Sequence, residues 1–159
     1  MVVGGGLWRA GAGEQGRCLS FTGEFRRTID AKGRLIVPAA MRDELENDTA
    51  ILVISPDGCI EMWSGEEWRG YERKLLDQRR SHPTARSVVR RIAASAHSDH
   101  VDRQGRLHIP DHLRSWAGVQ RDVTVVGALD HAEIWEPERW EASVMRQEDL
   151  RQGFAEFDL

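Results

Sequence analysis

Between Phe21 and Trp140 the apolar positions alternate in short runs and then shift to helical spacing, and the sequence does this twice. Phe25, Arg27 and Ile29 fall on one side of a short strand, with Arg26, Thr28 and Asp30 on the other. Ala31-Lys32-Gly33 reads as a tight turn, where Gly33 supplies a positive φ, and Arg34 to Val37 as the return strand. Pro38 suits the first position of a short helix over 39–45, because its missing N–H costs nothing there. A second hairpin follows, with strands 51–54 and 59–63 around Pro56-Asp57-Gly58. Ser64 with Glu67 three residues on forms a capping box. The spacing of Trp68, Tyr71 and Leu75 makes the next segment a helix in which Trp68 packs. His82-Pro83 breaks the chain, and 84–94 reads as a further helix with Arg86, Arg90 and Arg91 on its polar faces.

Asp30-Ala31-Lys32-Gly33-Arg34-Leu35-Ile36-Val37-Pro38 returns as Asp102-Arg103-Gln104-Gly105-Arg106-Leu107-His108-Ile109-Pro110, an offset of 102 − 30 = 72. The same offset carries Arg42 onto Arg114, Val53 onto Val125, Glu61 onto Glu133, Trp63 onto Trp135 and Trp68 onto Trp140. One register held across so many rare residues is a tandem duplication. Two copies exclude a long solenoid and predict packing about a pseudo-twofold axis. In the second copy the short helix is expected to end near Gly118, and Pro137 to begin the helix that carries Trp140.

The 159 residues suit one domain or two small halves sharing a core. No apolar run approaches the roughly 20 residues needed to span a bilayer, and Met1–Ser20 lacks the basic start and apolar centre of a secretory signal. Cys18 and Cys59 are too few for a disulfide framework, which fits a reducing cytoplasm. The net charge of −4 argues against a generally basic nucleic-acid binder, but its distribution is uneven. Residues 70–91 carry seven basic and two acidic side chains (+5), residues 23–42 five and two (+3), and residues 130–159 three and nine (−6). Screening limits each field to roughly 8–10 Å, so the first half is the anion-facing side. For 70–91 a solvated helix face is the simpler reading.

Asp30 pairs with Arg34 across its turn, and Asp102 with Arg106. Such a pair either only locks the turn or orients the arginine so that its remaining donors reach phosphates or a guanine edge. Lys32 adds a phosphate contact at the first turn tip, Arg103 stands at the second, and Arg26 and Thr28 project from the adjoining strand. Gly33 and Gly105 support the motif by shaping its turns.

On these residues the chain resembles the MraZ family. Phe21-Thr22-Gly23-Glu24-Phe25, Asp30 to Arg34, Ile36-Val37-Pro38 and Met41-Arg42 are similar to its first half. Ser95-Ala96-His97, Asp102 to Arg106, Ile109-Pro110, Leu113-Arg114, Ala117-Gly118 and Glu133-Ile134-Trp135 are similar to its second. The resemblance implies an α+β fold in which two tandem hairpin-and-helix units form a pseudo-twofold, swapped-hairpin (AbrB-like) barrel with peripheral helices. It also implies a ring-shaped homo-oligomer that binds double-stranded DNA at short direct repeats upstream of a division and cell-wall gene cluster. That is a cytoplasmic, nucleoid-associated transcriptional regulator, without cofactor, membrane or small-molecule substrate. Arg34 and Arg106 are the leading contact residues, Arg34 first, because the first turn carries Lys32 where the second has Gln104. The expected divisions are a first repeat over 21–94 with its linking helices, a second over 95–147, and an acidic end over 148–159 that reads as a disordered tail or a partner site. Family chains begin near Phe21, so 1–20 is an addition, rich in glycine, that reads as disordered or as a start codon placed too far upstream.

Other classes fit less well. Gly11-Ala12-Gly13-Glu14-Gln15-Gly16 matches a dinucleotide fingerprint on paper but lacks the strand before it and the helix after. Asp30 and Asp102 each have an arginine partner that keeps them ionised and unsuited to proton transfer. His97, His100, His108 and His112 invite a metal-dependent enzyme, yet His97 and His100 suit one ligand set only on a helix, and no cysteine stands near. A surface or interface role is preferred, with no metal. A non-enzymatic ring that binds acidic proteins instead of DNA is the remaining alternative.

Overall fold

The computed structural model describes residues 20–159; the expected extension lies outside the described residues apart from Ser20. The first repeat holds β1 (Glu24–Thr28), β2 (Arg34–Ile36), α1 (Ala39–Arg42), β3 (Thr49–Ile54), β4 (Ile60–Trp63) and α2 (Gly65–Ser81). After α3 (Ala85–Ser95), the second repeat holds β5 (His97–His100), β6 (Arg106–His108), α4 (Asp111–Ala117), β7 (Asp122–Gly127), β8 (Ala132–Trp135) and α5 (Pro137–Ser143), followed by α6 (Gln147–Phe157).

The local chemistry anticipated these elements. Gly33 and Gly105 sit at φ +79° and +82°, inside matching turns. Ser64 accepts from the Glu67 amide at the start of α2, and Gly118 closes α4 at φ +67°. Pro137 occupies the first turn of α5. Pro38 instead lies just outside α1, in an extended conformation, and the expected helix over 39–45 loosens into turns after Arg42. The acidic end is helical.

Each expected first hairpin is not a ladder of its own. β1 and β2 meet only at a bridge between Ile29 and Leu35. β1 pairs with β7 of the second repeat, and β5 of the second repeat pairs with β3 of the first. The result is a six-stranded sheet, β1-β7-β8-β4-β3-β5, with all its pairings antiparallel, plus a two-stranded β2–β6 ribbon. The described strands form no closed barrel, because β1 and β5 end as opposite edges of the sheet. The physical reason is the brevity of β2 and β6: each has three residues, and those bond across the axis to each other. On its outer edge β2 meets the end of β1 only at the Ile29–Leu35 bridge, too short a contact to draw the ribbon into the sheet.

A pseudo-twofold axis runs through both layers. In the ribbon Leu35 faces Leu107, both fully buried. In the large sheet Glu61 faces Glu133. Val37 donates to the Gly105 carbonyl and Ile109 to the Gly33 carbonyl, each at 2.8 Å. Between the layers Leu35, Leu107, Ile60, Met62, Ile134 and Val125 form one core. Outside the sheet, Trp63 packs with Trp68 and Tyr71 of α2, and Trp135 with Trp140 of α5.

The 72-residue register is not kept in β3 and β7. Leu52 faces Met62 where Val125 faces Ile134, so structural equivalents there lie 125 − 52 = 73 apart. Val53 therefore corresponds to Val126, not Val125. The second copy has one residue more between its first turn and this strand, and one fewer in the following hairpin loop, so equivalence returns to 72 at β4 and β8. A one-residue slip without that compensation would turn the buried side chains of the strand outward.

Candidate nucleic-acid interface

Because Leu35 and Leu107 point into the core, their neighbours Arg34, Ile36, Arg106 and His108 point away from it. Arg34 lies opposite His108, and Arg106 opposite Ile36. The two arginines are thus diagonal neighbours on one small face, about 7–8 Å apart at the backbone.

Each arginine is held by its turn. Asp30 Oδ1 accepts from the amides of Lys32 and Arg34, both at 2.9 Å, and Oδ2 accepts from Arg34 Nε at 3.0 Å. Asp102 does the same for Gln104 and Arg106, with Nε at 2.8 Å. The Arg34 and Arg106 backbone bonds lead in holding these two carboxyls below their ordinary range, with the guanidiniums adding to them. The Asp30 and Arg34 side chains keep 40% and 28% of their surface exposed. An exposed pair adds little to stability. Its effect is orientation: Nε is tied back and the terminal nitrogens point outward.

The turns are not identical. Arg106 Nη2 also donates to Gln104 Oε1 at 3.3 Å, whereas no bond ties Arg34 to Lys32. Lys32 and Arg103 are exposed at the turn tips. Arg26 and Thr28 are not brought to this face. They alternate with the core-facing row of β1, opposite Thr124 and Asp122, and open onto a recess beside Pro137 on the other side of the sheet.

Two further cations belong to the surface and were not among the expected site residues. A Cβ placed on Gly33 would lie 3.3 Å from Arg114 Nη2, and one placed on Gly105 would lie 3.5 Å from Arg42 Nη1. Each repeat therefore passes an arginine beneath the other repeat's turn. The 72-residue match of Arg42 with Arg114 was the available signal, but sequence offers no hint that they cross. Arg114 is positioned by the Ile109 carbonyl at 3.0 Å and by Asp111, and Arg42 by Asp48 at 3.2 Å. Around the two turns six cations (Lys32, Arg34, Arg42, Arg103, Arg106, Arg114) meet four carboxylates (Asp30, Asp48, Asp102, Asp111), a local charge of only +2.

The histidines do not converge. His97 and His100 lie on β5, His97 stands edge-on to His108 with ring centroids 6.5 Å apart, and His112 bonds the Ser95 carbonyl. Among the described residues no group of three or more potential ligands forms a metal cluster.

Comparison with known proteins gives a consistent picture. The family described as "MraZ protein, putative antitoxin-like" matches twice, over residues 20–91 and 92–158. The transcriptional regulator MraZ of Ligilactobacillus salivarius is 41% identical over 143 residues, covering 87% of this chain and 99% of the relative. Its namesakes from Lachnoclostridium phytofermentans and Heliobacterium modesticaldum are 38% and 36% identical, again over 87% of this chain and 98% and 99% of the relatives.

Proposed function

The chain belongs to the MraZ family, and from that premise we propose that it is a sequence-specific DNA-binding transcriptional regulator and not an enzyme. The observation that carries this reading is the ribbon face, where two arginines related by the pseudo-twofold axis are each aimed outward by their own aspartate. A guanidinium held at Nε presents its remaining donors as a fork, the geometry that suits a guanine edge or a phosphate. Lys32 and Arg103 at the tips, and Arg42 and Arg114 beneath, add backbone contacts that set position without reading sequence.

A local charge of +2 holds DNA weakly at cellular salt. We therefore read the working form as a homo-oligomeric ring that offers many such faces to short direct repeats. Repetition raises avidity by roughly 100- to 10,000-fold without any new contact. The repeats are placed upstream of the division and cell-wall gene cluster, and the protein at the nucleoid in the cytoplasm. The exchange of β1 and β5 between repeats supports a swapped-hairpin, AbrB-like reading of the fold.

An electrophoretic shift with the DNA upstream of the chain's own gene tests the proposal. Wild type should shift that fragment, and Arg34→Ala should lose the shift while its particle size stays unchanged. Equal binding by both proteins would overturn the role given to Arg34.

A further inference from the structure

α6 carries an apolar stripe that the described residues leave open. Leu150, Phe154 and Phe157 recur at i, i+4 and i+7, one stripe of a helix, yet 44%, 49% and 67% of their surfaces are exposed and α6 buries no residue. Gly153 lies beside that stripe with nothing within 4 Å of where its Cβ would stand. A mid-helix glycine costs about 0.5–1 kcal/mol relative to alanine, and the open space beside Gly153 leaves room for another surface to approach closely. Residues 147–159 carry Glu148, Asp149, Glu156 and Asp158 against Arg151 alone, a charge of 1 − 4 = −3.

The complementary surface lies on the same chain. Between α2, α3 and the β3–β5 edge runs a groove of about 730 Å³, floored by Ile51, Trp68, Leu75, Leu76 and Val89. Its rim carries Arg79, Arg86 and Arg90, none of which has a carboxylate partner among the described residues. This is the +5 stretch of the sequence, and α6 lies in the −6 stretch. No residue of α6 lines the groove.

We propose that α6 of one copy docks its Leu150–Phe154–Phe157 stripe into the α2–α3 groove of a second copy, head to tail, with its acids against the groove's arginine rim. This rests on the self-assembly reading above and names the surfaces that carry it out. An amphipathic helix in an apolar groove is an ordinary mode of recognition. Because helix and groove are different surfaces, the contact is heterologous: it leaves a free helix at one end and a free groove at the other, and the chain of copies stops only when it closes on itself.

Light scattering on the full-length protein tests this with two variants, Phe154→Glu for the helix and Arg86→Glu with Arg90→Glu for the groove. All three positions are exposed, and circular dichroism should confirm an unchanged fold. Each variant alone should fall from the wild-type assembly to the mass of one chain. Mixed in equal amounts, they should give a complex of two chains and no more, because the intact helix of one meets the intact groove of the other. The inference is overturned if either variant keeps the wild-type mass, or if the mixture stays as single chains. Wild type that scatters as a single chain would defeat the self-assembly reading itself, whereas intact rings from both variants would defeat only this choice of surfaces.

Discussion

The two turns share a backbone and differ in what surrounds it. Around Ala31-Lys32-Gly33 and Arg103-Gln104-Gly105 every backbone and carboxylate bond is duplicated to within about 0.2 Å. Yet Lys32 leaves Arg34 free where Gln104 holds Arg106, and Ile36 stands on the ribbon where the other strand has His108. The geometry that aims a guanidinium therefore belongs to the Asp-to-Arg segment itself. The charge and freedom of the aimed group are set by the one or two residues that vary. Duplicated scaffolds can thus diverge in function without diverging in fold.

Loss of either ribbon arginine should matter most. Arg34→Ala and Arg106→Ala should both weaken operator binding in a competition titration, by roughly 1–3 kcal/mol apiece, and Arg34→Ala by more. Equal weakening would show that the bond from Gln104 does not restrain Arg106 once DNA is present. The turn glycines come next. Alanine at either must hold a positive φ, which costs about 1–2 kcal/mol. Gly33→Ala should be the worse in urea unfolding, since its Cβ meets both Arg114 and His108 at 3.3 Å while that of Gly105→Ala meets Arg42 at 3.5 Å. The reverse order would mean that Arg114 gives way more readily than Arg42.

A smaller asymmetry lies at the axis, on the outer face of the large sheet. Trp63 and Trp135 donate to Glu61 and Glu133 at 3.0 and 2.7 Å. Beside Glu133, His131 stacks on Trp63; at the equivalent place in the first repeat, 131 − 72 = 59, stands Cys59. Burial pushes His131 down, but its bonds to Glu133 and Asp130, with the field of Glu61, outweigh it and leave the imidazole above its ordinary value. Burial pushes the Cys59 thiol up to about 12, so it stays neutral. A base raised in the folded state contributes fully below its unfolded value and loses that contribution as pH rises through its folded value. Wild type should therefore lose stability as pH climbs above 6.5, and His131→Gln should abolish that decline. A thermal melt series against pH that is flat for wild type would rule the imidazole out. The turn tips should respond more mildly. Gln104→Lys should steepen the salt dependence of DNA binding, and Lys32→Gln flatten it, each by about 0.9 in log–log slope per phosphate contact.

Local chemistry made much of the molecule legible in its sequence. The 72-residue repeat, the glycine turns, the Ser64 cap, the packing of Trp68 and Trp140 and the Asp30–Arg34 and Asp102–Arg106 pairs all depend on residues close in sequence, where spacing alone dictates contact. The acidic end was less legible, because its amphipathic stripe is short and interrupted by Gly153. What tertiary structure alone decided is which repeat each strand serves. Backbone pairing carries no signature of its partner, so a run such as 24–28 reads the same beside β2 as beside β7. The crossing of Arg42 and Arg114, the separation of Arg26 and Thr28 from the ribbon and the open sheet all go with that exchange. None involves residues close enough along the chain for periodicity to report it.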